Sequence, residues 1–209
     1  IHVSFGMVSV KDDLLGTSAK LSTREGNVIF LNDVLEKSVE KTLEIINERN
    51  SALENKETVA KEVGIGAVIF QELFNTRIKD YSFDWNNVLN FEGETGPYVQ
   101  YSAARAYSIL EKNDFYSKIN NLDISKLFNY EMNVDELALV KSIYKFEDIL
   151  LDAAKKYEPS ILARYITEVA KLFNKFYNSC PINNQEESIK DFRLVLTYCS
   201  RLLIEIGLG

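Results

Sequence analysis

"EPSILARYITEVAKLFNKFY", residues 158–177, decides how this chain is read. Leu162, Tyr165, Ile166, Val169, Leu172, Phe173 and Phe176 recur at short helical intervals, which places them on one side of a helix turning about 100° per residue. Glu158-Pro159 starts that helix, and Asn178 and Pro181 end it. An apolar face this broad needs partners, and both flanks supply them. Residues 134–156 read as one helix with Leu139, Ile143, Phe146 and Leu150 along one face. Residues 186–206 read as another, with Phe192, Val195, Leu196, Cys199, Leu202 and Ile206 turned inward.

Helical periodicity continues upstream. Pro97 suits the first position of a helix over 97–112, where its missing N–H leaves no bond unmade. Residues 113–133 form a longer connection with a helical turn near 124–128. Residues 76–85 are irregular or briefly extended, and 84–90 form a short helix or turn. Asp33 with Glu36 has the spacing of a capping box, followed by Leu35, Val39, Leu43 and Ile46. Thr58 is placed to cap a second helix, with Val59, Val63, Ala67, Phe70 and Phe74 as its core side. Gly64 and Gly66 inside it read as a site of close helix packing. Residues 3–10 read as a strand, followed by a polar loop. The expected fold is mainly α, a helical bundle behind a short N-terminal β segment. The expected divisions are 1–32, 33–96 and 97–209.

Composition narrows the function. The 209 residues are 46% hydrophobic, enough for a core. The balance of 31 Asp+Glu against 24 Lys+Arg, net −7, excludes a generic electrostatic DNA binder but leaves room for a local basic patch. His2 is the single histidine, which excludes His-based catalysis and multi-His zinc sites. Two cysteines, Cys180 and Cys199, make no disulfide framework and fit a reducing cytoplasm. There is no apolar run of about 18 residues, so no membrane span is expected. The opening "IHVSFGMVSV" lacks the basic start of a signal peptide and reads as a buried strand entered part-way. A piece of a longer chain is the expectation, with a strand whose open edge could pair with another copy.

Two stretches carry candidate chemistry. In the helix behind Pro97, Val99, Ala103, Ala106 and Leu110 share a narrow arc. Tyr98, Tyr101, Arg105 and Lys112 fall on the other side. Rings interleaved with cations form a stacking platform for unpaired bases. The same pattern fits tyrosines packed under a loop, with Arg105 paired to Glu92 or Glu94. The preceding "EGETG" (92–96) reads as a turn that shapes the neighbouring surface. In "AKLSTREGN" (19–27), Lys20 and Arg24 flank hydroxyls and could hold a polyphosphate; a solvated loop fits equally.

Several blocks, in order, resemble the class I arginyl-tRNA synthetase family: "FGMVSV…AKLSTREGNVIFLNDVL" (5–35), "VAKEVGIGAVIFQEL" (59–73), "RIKDYSFDW" (77–85), "LNFEGETGPYVQYSAAR" (89–105) and "RLLIEIGLG" (201–209). "ILAR" (161–164) stands in the slot of the Asp-Ala-Leu-Arg motif that names the family's anticodon-binding domain. The resemblance spans essentially the whole chain. It implies an anticodon-binding bundle preceded by a remnant of a Rossmann-like catalytic domain, in a parent that joins arginine to its tRNA using ATP and Mg2+. It implies that Lys20, Leu21, Ser22, Thr23 and Arg24 occupy the Lys-Met-Ser-Lys-Ser signature over ATP. Lys20 and Ser22 match that signature, while Thr23 replaces its second lysine and Arg24 its last serine, which puts the loop's share in catalysis in doubt. Tyr98, Tyr101 and Arg105 match anticodon-loop contacts, with Lys112 on their face. Asn174, Tyr165 and Tyr177 lie on the adjacent helix, the two tyrosines as core or contact. The family's His-Ile-Gly-His signature is not in these 209 residues. The expectation is therefore a cytoplasmic, tRNA-binding part of a monomeric ligase, inactive alone. The rivals are a non-catalytic helical interaction module and a free-standing tRNA-binding regulator.

Overall fold

The computed structural model describes residues 2–10, 30–127 and 130–209. In chain order the elements are β1 (Val8–Val10), α1 (Leu31–Arg49), α2 (Lys56–Phe74), β2 (Tyr81–Phe83), α3 (Trp85–Val88), α4 (Gly96–Lys112), α5 (Phe115–Lys118), α6 (Ile124–Leu127), α7 (Val134–Tyr144), α8 (Phe146–Lys156), α9 (Ser160–Ser179) and α10 (Glu187–Leu208). The fold is mainly α with a short N-terminal strand, as the sequence predicts; the strand's pairing with β2 in a parallel sheet was not predicted. Residues 1–98 with 157–160 make one compact unit, and 99–156 with 161–209 make another.

In the first unit β1 and β2 pair in parallel, Val8 opposite Tyr81 and Val10 opposite Phe83. The strand expected over 3–10 shrinks to three residues because β2, its partner, is only three residues long. Arg77 ties this end together: Nε donates to the Tyr157 carbonyl at 3.1 Å, Nη1 donates to the Ser4 carbonyl, and its amide donates to Glu158 Oε1 at 3.2 Å. Helices α1 and α2 pack on each other. Ser38 and Thr42 are buried between them, and a Cβ on Gly64 would lie 2.7 Å from the Ser38 carbonyl oxygen. Gly64 thus permits the close packing its position suggests. Ala67, Val68, Phe83, Trp85, Val88 and Leu89 form this unit's apolar cluster.

Two helix starts differ from the sequence reading. The Asp33–Glu36 box does not form: α1 begins at Leu31, capped by Phe30 without a side-chain bond. Thr58 lies inside α2, whose N-cap is Asn55 in the left-handed region at φ 56°, which Asn tolerates.

The second unit is a bundle of α7–α10 and most of α4. Ala106, Leu139, Phe173, Phe176, Phe192 and Leu196 share its main core. The apolar face of α9 is inward, as its spacing predicts, with Ile166, Val169, Phe173 and Phe176 buried. The single helix expected over 134–156 is two helices that meet at Lys145. Consequently Leu150 is exposed, and Ala153 provides α8's buried residue. The inward face of α10 also shifts near its end: Leu202 and Ile206 are 40% and 53% exposed, while Leu203 and Ile204 are buried.

Candidate functional site

The site grows from α4. Thr95 precedes it, and its hydroxyl accepts from the Tyr98 amide at 3.3 Å while donating to the Asn90 carbonyl. This closes the 92–96 turn and satisfies an orphan donor of the helix start. Thr95 and Pro97 are buried, and Tyr98 is half-buried.

From Val99 onward α4 belongs to the second unit. Val99, Ala106 and Leu110 are fully buried, so the predicted arc is the core face. Tyr101 is 51% exposed. Arg105 lies one turn on, its guanidinium carbon 4.8 Å from the Tyr101 ring centroid and 5.3 Å from that of Tyr177 on α9. Arg105 Nη2 donates to the Tyr101 hydroxyl at 3.2 Å, and Nη1 donates to Asn174 Oδ1. The Asn174 amide donates in turn to the buried Ser102 hydroxyl at 2.8 Å. The guanidinium therefore lies within cation–π distance of two rings and is held there by an amide that is itself anchored.

Beside this cluster is an open groove of ≈ 700 Å³. Tyr101, Arg105, Ser108 and Lys112 of α4 line it, with Tyr177 of α9 and the link residues Pro181, Ile182, Asn183 and Asn184. Arg105 and Lys112 are its cations, and no Asp or Glu among the described residues lines it. In a chain with 31 Asp+Glu, that is a local inversion of the overall charge.

Tyr101, Arg105, Lys112 and Asn174 are thus brought together. Tyr98 is not among the residues lining the groove. The two tyrosines left open on α9 part company. Tyr165 is 8% exposed and donates to the Ser142 carbonyl at 2.8 Å, and burial pushes its hydroxyl up to about 12. Tyr177 is 40% exposed and lines the groove. Residues 20–24, the ATP-loop expectation, lie outside the described residues.

Sequence reasoning missed Ser102, Asn183 and Asn184. It also missed a second ring–cation cluster, in which Arg201 stands 4.9 Å from the Tyr107 centroid and 5.6 Å from that of Tyr116 while pairing with Glu205 at 2.7 Å. The spacing of α4 could have flagged Tyr107; nothing local links it to Arg201, which lies far along the chain. Among the described residues no group of three His, Cys, Asp or Glu could hold a metal ion. No described helix is long and apolar enough to cross a membrane.

Residues 99–209, which include every residue lining the groove, match the profile of the DALR anticodon binding domain. The chain belongs to the DALR anticodon-binding domain family. Residues 1–85 match the profile of the catalytic domain of class I tRNA synthetases (R). Among curated relatives, the arginine–tRNA ligase of Halothermothrix orenii is 50% identical over 211 residues, covering 100% of this chain and 35% of the relative. The arginine–tRNA ligase of Clostridium kluyveri is 52% identical over 210 residues, with the same coverage. The chain therefore spans 35% of the length of these relatives. Among solved structures, Thermus thermophilus arginyl-tRNA synthetase superposes with a TM-score of 0.81 at 27% identity, over 99% of this chain and 33% of that one.

Proposed function

We propose that the groove beside Tyr101, Arg105 and Tyr177 receives unpaired anticodon nucleotides of an arginine-accepting tRNA. The observation that carries this is the acid-free, cationic groove walled by exposed rings in an otherwise acidic chain. Unpaired bases are held by stacking on aromatic and guanidinium planes and by contacts to their edges, which needs a local basic surface rather than a basic protein. Tyr101 and Tyr177 would offer ring faces, Arg105 and Lys112 would meet phosphate, and Asn183 and Asn184 have amides suited to base edges. Asn174 acts indirectly, by orienting Arg105. Tyr98 would contribute from the start of α4, apart from the groove.

The similarity to arginine–tRNA ligases supports a parent that joins arginine to this tRNA, with ATP activating the amino acid. ATP and Mg2+ would belong to the parent's reaction, with Lys20, Leu21, Ser22, Thr23 and Arg24 closing on the nucleotide. On this reading the 209 residues bind tRNA in the cytoplasm but do not catalyse alone, since the His-x-Gly-His signature is not among them.

Replacing Tyr101 by Ala should weaken binding to arginine tRNA by about 1–3 kcal/mol, the range for losing one stacking ring. A gel-shift titration checks it. Equal affinity of the two proteins would remove the groove from tRNA recognition.

A further inference from the structure

One wall of the groove is the link between α9 and α10, and it is held in an unusual way. Arg193, 8% exposed on α10, donates from Nη1 to the Pro181 carbonyl and from Nε to Glu136 Oε1 at 2.7 Å. Glu136, fully buried on α7, accepts at its other oxygen from the Tyr130 hydroxyl and from the Asn133 amide at 2.8 Å. Asn133 reaches back to the link, donating to Cys180 Sγ at 3.1 Å. Ile182 is buried with Leu110, Phe115 and Leu194, and Asn184 sits in the left-handed region at φ 62°. The start of the wall is therefore pinned at Cys180 from α7 and at Pro181 from α10.

A buried ion pair of this kind adds little net stability, because apolar residues of similar volume usually serve as well. Geometry is what it adds. The rigid guanidinium fork fixes one carbonyl relative to one carboxylate, which a lysine ammonium on a flexible stem does not do.

We propose that Arg193 and Glu136 are a positioning pair that sets the 181–184 wall and thereby shapes the groove for its nucleotides. The pair touches no ligand itself, and the proposal rests on the groove being the nucleotide site. The test compares the 209-residue chain with Arg193→Lys and with the double variant Arg193→Met/Glu136→Leu. Thermal unfolding, backbone nitrogen-relaxation order parameters at Ile182, Asn183 and Asn184, and affinity for the anticodon stem-loop of an arginine tRNA are measured on each. Both variants should fold. The three order parameters should fall, and RNA affinity should fall by about tenfold, the scale of a network losing one partner. Arg193→Lys keeps a charge beside Glu136, so it remains informative if the double variant does not fold. A folded variant with unchanged order parameters, or with unchanged RNA affinity, overturns the proposal. Failure of the groove reading looks different: Tyr101→Ala alone then leaves RNA affinity unchanged, while the relaxation measurement still decides whether the pair holds the wall.

Discussion

In the unit of residues 1–98 and 157–160, α1 and α2 meet through Ser38, Thr42, Ala60 and Gly64, whereas in the unit of 99–156 and 161–209 the helices meet through Phe115, Phe173 and Phe176. The first unit also carries a two-stranded parallel sheet, near which Phe5 and Met7 are 83% and 75% exposed. A helix satisfies its own backbone and needs only its apolar stripe covered. A parallel sheet needs neighbours at its edges and cover on both faces. The second unit closes a core from its own side chains, and from that core α4 and α9 bring Arg105 against the rings of Tyr101 and Tyr177.

The difference can be broken experimentally because Trp85, the single tryptophan, belongs to the first unit. The largest effect is expected from Phe173→Ala. Emptying a fully buried ring site should destabilise the second unit by about 3–5 kcal/mol. Denaturant titrations followed by far-UV circular dichroism should shift strongly, and the Trp85 fluorescence transition much less. Equal shifts of both signals would mean the units unfold as one. A smaller effect of the opposite pattern is expected from Gly64→Ala. The new methyl would meet the Ser38 carbonyl oxygen at 2.7 Å, an overpacking that costs about 1–3 kcal/mol. Here the Trp85 transition should move first; an unshifted transition would show that α1 and α2 have room to separate.

The smallest effect concerns acid. Hydrogen bonds from Lys175 and Ser179 hold Asp135 in the second unit below its usual 3.8. In the first unit burial raises Glu158, but bonds from Ser160 and the Arg77 amide outweigh it and hold it below 4.5. Folded values below unfolded ones mean stability that is present above the unfolded values and lost as pH falls through the folded ones. Stability should therefore stay level above about pH 4.5 on these groups' account and decline below it. Glu158→Gln should flatten that acid limb in Trp85 fluorescence, and Asp135→Asn in circular dichroism. Acid limbs left unaltered by both substitutions would assign the decline to other carboxylates.

Much of this architecture was legible because helical periodicity is a local property. The face of α9 and the core arc of α4 follow from spacing alone. The break at Lys145 was not legible, since neither Gly nor Pro marks it and apolar residues recur at helical spacing on both sides of it. The end of α10 was misphased for a related reason: Leu202, Leu203, Ile204 and Ile206 are all apolar, so the pattern there does not choose among them.

The site divides in the same way. Sequence by itself determined that Tyr101, Arg105 and Lys112 share a face of α4, and resemblance set Asn174 beside them. Only the tertiary structure decided that Tyr165 is core and Tyr177 is groove, that Arg105 is clamped through Asn174 to Ser102, and that Arg193 reaches Pro181. Spacing along a helix fixes which residues share a face. Which of those faces is covered depends on elements that arrive from far along the chain.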